Sequence, residues 1–207
     1  MKILALEFSS SQRAVAVSDG ANPIARVVSD DLKTSPLLLI DKVLEKGRTD
    51  RAEINVIALG IGPGSYTGIR SAIAVAQGWQ LAKAVKLNPI SSAEVLAATA
   101  RTQGQRGETH LIIDAQRHEH YHTTWNLTET EQTETKPLSI IGVVEAFELE
   151  SFGPDQPGMR YCKPLHPCAV QLAKLAADRN SYVPGSTIEP IYLRQTEFVK
   201  APPPRKL

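Results

Sequence analysis

The stretch LGIGPGSYTGIRSAIAVAQG, from Leu59 to Gly78, sets glycines and a proline directly behind one buried pattern and directly ahead of another. Asn55 to Gly60 runs through Val, Ile, Ala and Leu without polar alternation, as a strand covered on both faces does. Ile69 to Ala84 then reads as a helix, so the spacing predicts strand, glycine turn, helix. Two patterns that such a loop resembles do not fit. Gly68 is followed by Ile69 and Arg70 rather than by the Lys-Ser/Thr of a Walker loop. Gly60-Ile61-Gly62-Pro63-Gly64 has neither the spacing of a dinucleotide fingerprint nor its downstream acid. Two readings remain: a tight turn with an N-cap, or an anion loop in which Gly62, Gly64, Ser65 and Thr67 offer amides and hydroxyls at a helix N-terminus.

The helix behind the loop is unusually lean. Gly68, Ser71, Ala72, Ala74, Ala76 and Gly78 leave little bulk, while Ile69, Ile73 and Val75 supply aliphatic edges. Glycine inside a helix costs about 0.5–1 kcal/mol relative to alanine, so a close approach should compensate it. Either this chain or a partner chain supplies that approach.

Around this unit the elements follow from periodicity. Lys2 to Phe8, Ala14 to Ser18 and Ile24 to Val28 read as two successive hairpins. Ser35 and Pro36 then open a helix in which Leu37, Ile40, Val43 and Leu44 recur before Gly47. KLNPI reads as a return strand, and Ser92 caps an Ala- and Leu-rich helix. His110 to Ala115 and Glu119 to Leu127 read as strands, NLTETEQTETKP as a polar turn, and GVVEAFELE and HPCAVQLAKLAAD as helices.

Composition narrows the function classes. The chain has 207 residues, 42% hydrophobic and 22% charged, with a formal net charge of +1. Its Lys and Arg are scattered, so the basic stripe of a stand-alone nucleic-acid binder is missing. No apolar window approaches the about 18 residues of a membrane span, and no secretory leader opens the sequence, so a cytoplasmic protein is expected. Cys162 and Cys168 read as free thiols. In HEHYH, His118, His120 and His122 share one face of a strand and are weak candidates for a metal site; a solvated strand face is the competing reading.

Four segments together resemble the TsaB (YeaZ) family. KILALEFSSSQRAVAV is similar to its opening strand pair, and ALGIGPGSYTGIRSAIAVAQGWQLA resembles its signature. IIDAQRHEHY is similar to its Asp-Ala-Arg region, and EPIYLR resembles its terminal Pro-x-Tyr-Leu-Arg element. The resemblance implies an α/β fold of the actin, sugar-kinase and Hsp70 (ASKHA) type, with two lobes each built on a mixed β-sheet with flanking helices. Residues 1–92 would form the N-terminal lobe, and 93–207 a smaller, trimmed C-terminal lobe with a mobile basic tail.

The resemblance also implies a non-catalytic subunit, with no catalytic residue of its own, of the complex that makes N6-threonylcarbamoyladenosine at position 37 of tRNAs reading A-starting codons. The chain would pair with the TsaD transferase through Leu37, Leu38, Asp41 and Leu44 on the first helix and Thr67, Arg70 and Ala74 on the second. TsaE would dock on that pair, tRNA would be met indirectly through the complex, and the same face can pair with a second copy of the chain. The isolated chain would need no cofactor, ATP and metal belonging to the partner proteins. Two departures stand out: Glu7-Phe8-Ser9-Ser10 where the family commonly shows Asp-Thr-Ser-Thr, and Thr34-Ser35 where it shows His-Ser. The alternatives are an autonomous ATP-binding enzyme of the same fold, using the glycine loop with Ser9 and Ser10, and a metal-dependent hydrolase or protease built on HEHYH.

Overall fold

In the computed structural model, residues 1–154, 159–179 and 181–193 are described. The basic tail with Lys200, Arg205 and Lys206, and Arg194 of EPIYLR, lie outside them. Strands β1 (Lys2–Glu7), β2 (Arg13–Asp19) and β3 (Asn22–Ser29) form an antiparallel meander. Helix α1 (Pro36–Lys46) leads to β4 (Ile54–Gly60), and α2 (Tyr66–Ala82) to β5 (Lys86–Ile90); both strands run parallel to β1. The sheet order is β3-β2-β1-β4-β5.

Helix α3 (Ser92–Thr102) passes to a second sheet. There β6 (Gly107–Asp114), β7 (Glu119–Leu127) and β8 (Gln132–Gly142) form another antiparallel meander. After α4 (Val143–Phe147), the short β9 (Ser151–Gly153) and β10 (Cys162–Pro164) add in parallel, giving β10-β9-β6-β7-β8. The two sheets thus share one topology. Finally α5 (Ala169–Asp178) returns to the first sheet.

Burial explains the layering. β1 is apolar on both sides because both are covered: Leu4 and Leu6 pack with α1 and α2, and Ile3 and Ala5 with α5. In the second sheet Leu111, Ile113, Tyr121 and Trp125 face Leu96 and Ala97 of α3, while Ile112 and Ile141 face α4. Among the described residues no helix is long and apolar enough to cross a membrane.

Two sequence expectations change. NLTETEQTETKP is mostly strand, because among the described residues β8 pairs with β7 alone and its outer face is left polar by exposure. Pro137, which has no N–H to donate, falls where the β7–β8 register slips, an edge-strand position that tolerates it. Leu44 is buried, 5% exposed, alongside Leu39, Ile40 and Val43, so it belongs to the core and not to the proposed partner face. A helix residue one position round the wheel from the exposed Asp41 turns toward the sheet.

A buried polar clamp joins these elements. The Glu7 carboxyl, at the end of β1, accepts from the Ser9 amide at 3.0 Å and from the Ser92 hydroxyl at 3.1 and 3.2 Å. The Ser92 hydroxyl in turn accepts from the Gly62 amide at 3.1 Å, and the Ser92 amide donates to the Gly62 carbonyl at 2.8 Å. Burial pushes the Glu7 carboxyl above its ordinary value of 4.5, and the bonds from Ser9 and Ser92 oppose that shift.

Two measurements follow from this packing. A Cβ on Gly68 would collide with the Phe8 carbonyl, whereas one on Gly78 would meet open space. Gly68→Ala should therefore cost at least about 2 kcal/mol in urea unfolding, and Gly78→Ala should gain about 0.5–1 kcal/mol. For Glu7, the folded chain holds its proton to higher pH than the unfolded chain. The stability present below the ordinary value is lost as pH rises through the raised one. Relative to Glu7→Gln, the parent chain should be of similar stability at about pH 4 and weaker at about pH 7.5, as read from urea midpoints. A constant difference across that range would show that Glu7 titrates alike in the folded and unfolded chain, without the upward shift.

Candidate functional site

The two sheets leave between them a cleft of about 940 Å³. Three chain turns form its walls: Ser9–Ser11 between β1 and β2, Gly64–Thr67 between β4 and α2, and Asp114–Arg117 between β6 and β7. The last turn is built on the left-handed region, with φ of +63° at Gln116, +57° at Arg117 and +61° at His118. Non-glycine residues rarely adopt it, and here the Asp114 carboxylate supports the turn by accepting from the Gln116 amide at 2.7 Å and from its side chain at 2.8 Å. Arg70 stands at the rim. Its guanidinium lies 4.1 Å from the Tyr66 ring centre and its Nε donates to the Tyr192 hydroxyl at 3.3 Å; the two tyrosine rings stack at 5.6 Å.

The glycine loop is held from within the chain. The Ser65 amide donates to the Ser9 carbonyl at 2.6 Å, and the Ser65 hydroxyl accepts from the Gly68 amide at 3.3 Å, capping α2. The Gly62 amide is taken by Ser92. Gly64, at φ +141°, lies so close under Ser9 that a Cβ would meet the Ser9 carbonyl. Turn and N-cap are therefore present, and of the four anion-loop candidates Gly62 and Ser65 already have their amides engaged. Gly64, Ser65 and Thr67 line the cleft; Gly62 is buried behind it.

The small residues of α2 divide between two faces. Gly68, Ala72 and Ala76 are buried with Ile69 and Ile73, so the chain's own core uses half of them. Thr67, Arg70, Ala74 and Gly78 form the opposite, exposed line, and Leu81 at its end is 90% exposed. Beside it on α1, Leu37 is 53% and Leu38 47% exposed, and Asp41 pairs with Arg51. Leu37, Leu38, Asp41, Thr67, Arg70 and Ala74 are thus all exposed on the two helices that cover one face of the first sheet, and Leu44 is not.

The histidines do not gather. His118 is exposed at the turn, and His120 and His122 are nearly buried on β7. His122 instead meets His110 of β6 at 3.1 Å, with the Thr124 hydroxyl beside both. Burial and His110 hold His122 below its ordinary value. Among the described residues, no three His, Cys, Asp or Glu side chains are placed to hold a metal ion. Sequence reasoning missed His110 as a partner of His122, Ser92 as the partner of Glu7, and Tyr192 as the partner of Tyr66. The β6–β7 hairpin pattern pointed toward the first of these; nothing local pointed to the other two, 85 and 126 positions away.

Residues 2–157 match the family model described as TsaD: tRNA N6-adenosine threonylcarbamoyltransferase. The tRNA threonylcarbamoyladenosine biosynthesis protein TsaB of Escherichia coli K12 is 29% identical over 123 residues, 58% of this chain and 53% of that protein. TsaB of Haemophilus influenzae is 28% identical over 123 residues, 58% of this chain and 52% of that one. The chain thus matches about half the length of these curated relatives. Among solved structures, YeaZ from Pseudomonas aeruginosa superimposes with a TM-score of 0.77 at 24% identity, covering 93% of this chain and 99% of that one. A second P. aeruginosa structure, described as an uncharacterized protein with similarity to peptidase YEAZ, does so with a TM-score of 0.79, again at 24% identity and the same coverage. Two five-stranded mixed sheets of one topology, with flanking helices and a cleft between them, give the two-lobed α/β architecture expected from the sequence. The chain belongs to the family of the model described as TsaD: tRNA N6-adenosine threonylcarbamoyltransferase, and the relatives it resembles are the TsaB (YeaZ) proteins.

Proposed function

We propose that this chain is a cytoplasmic, non-catalytic subunit of the machinery that forms N6-threonylcarbamoyladenosine at position 37 of tRNAs reading A-starting codons. It acts by pairing with the TsaD transferase. The observation that carries the reading is the exposed line of Thr67, Arg70, Ala74, Gly78 and Leu81 beside Leu37 and Leu38. A face this poor in bulk and this apolar gains by being covered, because small side chains let a second helix approach closely. TsaE then docks on the pair, tRNA is met through the complex, and ATP and metal sit on the partner proteins. Without TsaD the same face pairs with a second copy of this chain.

A second reading, an ATP-binding enzyme of the same fold, draws on the cleft and its Ser9–Ser11, Thr67, Arg70 and Arg117 lining. The engaged amides of Gly62 and Ser65 weigh against it, since backbone amides are what a phosphate loop must offer. The hydrolase reading loses its support with the dispersal of His118, His120 and His122.

Ala74→Arg tests the proposal. Ala74 is exposed, so the variant should keep its circular dichroism spectrum and urea midpoint. Its affinity for the host TsaD in co-purification should fall at least about tenfold, because a charge without a partner would be desolvated at the centre of the contact. Unchanged capture would remove this face from the interface, and absence of capture by the parent chain would favour the nucleotide reading.

A further inference from the structure

On the far side of the first sheet from α1 and α2, a second cavity of about 380 Å³ opens where α5 begins. Its walls come from three separated parts of the chain: Gln12 and Arg26 of the first meander, the end of α3, and residues 164–171. The α5 N-terminus carries no side-chain cap. Cys168 occupies the N-cap position without a capping bond, and the first turn holds no acid. The Cys168 carbonyl accepts from Leu172 at 3.0 Å and its own amide is fixed on Thr99 at 3.2 Å. The amides of Ala169, Val170 and Gln171 are the ones an α-helix leaves without internal partners.

Two further groups converge there. Gln171 is 8% exposed and lines the cavity, and its side-chain amide has no hydrogen-bonding partner among the described residues. The residue is nearly covered while its amide atoms stay open to the cavity, so their donors and acceptor are available to a guest. The Arg26 guanidinium stands over the same opening, its Nη1 3.7 Å from the Cys168 sulfur, without a carboxylate in ion-pair range among the described residues. None of the described lining residues is acidic. An uncapped helix N-terminus, an uncompensated guanidinium and a side-chain amide open to the cavity all offer N–H donors, and together they suit one kind of guest.

We propose that this cavity binds a small oxyanion, the carboxylate or phosphate group of a metabolite-sized molecule. Arg26 and the α5 amides take the charge and the Gln171 amide fixes the orientation. The site does not depend on the assembly proposed above, because it lies on the opposite side of the first sheet.

Cys168 is a built-in reporter. The chain is treated with iodoacetamide, an uncharged alkylating agent, and the rates at Cys168 and Cys162 are separated by peptide mass spectrometry. Inorganic phosphate, acetate or chloride is present at equal ionic strength. With a dissociation constant of about 5 mM, phosphate at about 20 mM should slow Cys168 about fivefold by occupancy and leave Cys162 unchanged. The ratio of rates with and without phosphate should approach one in Arg26→Gln, a surface change that leaves folding intact, and in Gln171→Leu. Protection by phosphate alone points to a phosphate ester as guest, and protection by acetate as well to a general oxyanion site. Equal slowing by chloride, no slowing by either oxyanion, or full protection retained in Arg26→Gln would overturn the proposal.

Discussion

The arrangement of this molecule turns on one buried carboxyl. Glu7 ends the central strand of the first sheet, and its oxygens hold the amide of Ser9 and the hydroxyl of Ser92. Ser92 passes the connection to the glycine loop through two bonds to Gly62. It is also the first residue of α3, whose Leu96 and Ala97 lie against the second sheet. Three parts of the chain, distant in sequence, are thus referred to one point. A carboxyl in so dry a place is costly when charged, and every neighbour that donates to it reduces that cost. The same carboxyl occupies the space that any side chain at position 60 would need, so the glycine that ends β4 follows from the acid that ends β1.

From this fixed point the character of the glycine loop follows. With Gly62 tied to Ser92, and Ser65 tied to the carbonyl of Ser9, the loop is drawn against the β1–β2 turn. Gly64 and Gly68 are where that contact is closest, at the carbonyls of Ser9 and Phe8. The glycines of the opening stretch are therefore explained within one chain as far as Gly68, and that explanation stops there. Gly78, with open space around it, and Ala74 on the same exposed line have no intrachain cause. The question of whether small residues serve the core or a partner has a different answer on each side of the helix.

Much of this was legible in the sequence where physics acts locally. The meander of β1 to β3, the helices α1, α2, α3 and α5, and the doubly covered β4 all follow from the period of their apolar residues. Edges were harder. The first half of β8, residues 132–137, has the sequence of a polar turn because an edge strand with one face in water needs few apolar residues, and β9 and β10, three residues each, are too short to carry a period. The identical strand order of the two sheets left no trace, since topology is kept by backbone pairing while the side chains differ. The site was legible in its pieces and not in its junctions. Loop, Ser9 and Ser10, and the Asp114 turn could each be named, but only folding brings Glu7 within reach of Ser92, or Tyr192 onto Tyr66.

The departure at Glu7 bears on how the cleft should be read. A shorter acid at the end of β1 would leave room beside Gly60 and reach less far toward Ser92; the longer one fills that room and closes the clamp. The Glu7 carboxyl does not line the cleft, whose lining begins only at Ser9. What the cleft retains is hydroxyls from Ser9, Ser10 and Thr67, and cations from Arg70 and Arg117. Of the latter, Arg70 is already engaged between two tyrosines. A fold of two similar lobes encloses a cleft between them whatever it is used for, so the volume alone says nothing of a guest. What distinguishes a working phosphate site is donors left free, and in the Gly62–Ser65 turn the donors have been turned inward to hold the chain together. That inward turn is what allows α2, anchored at its first residues, to present its opposite side as a rigid surface.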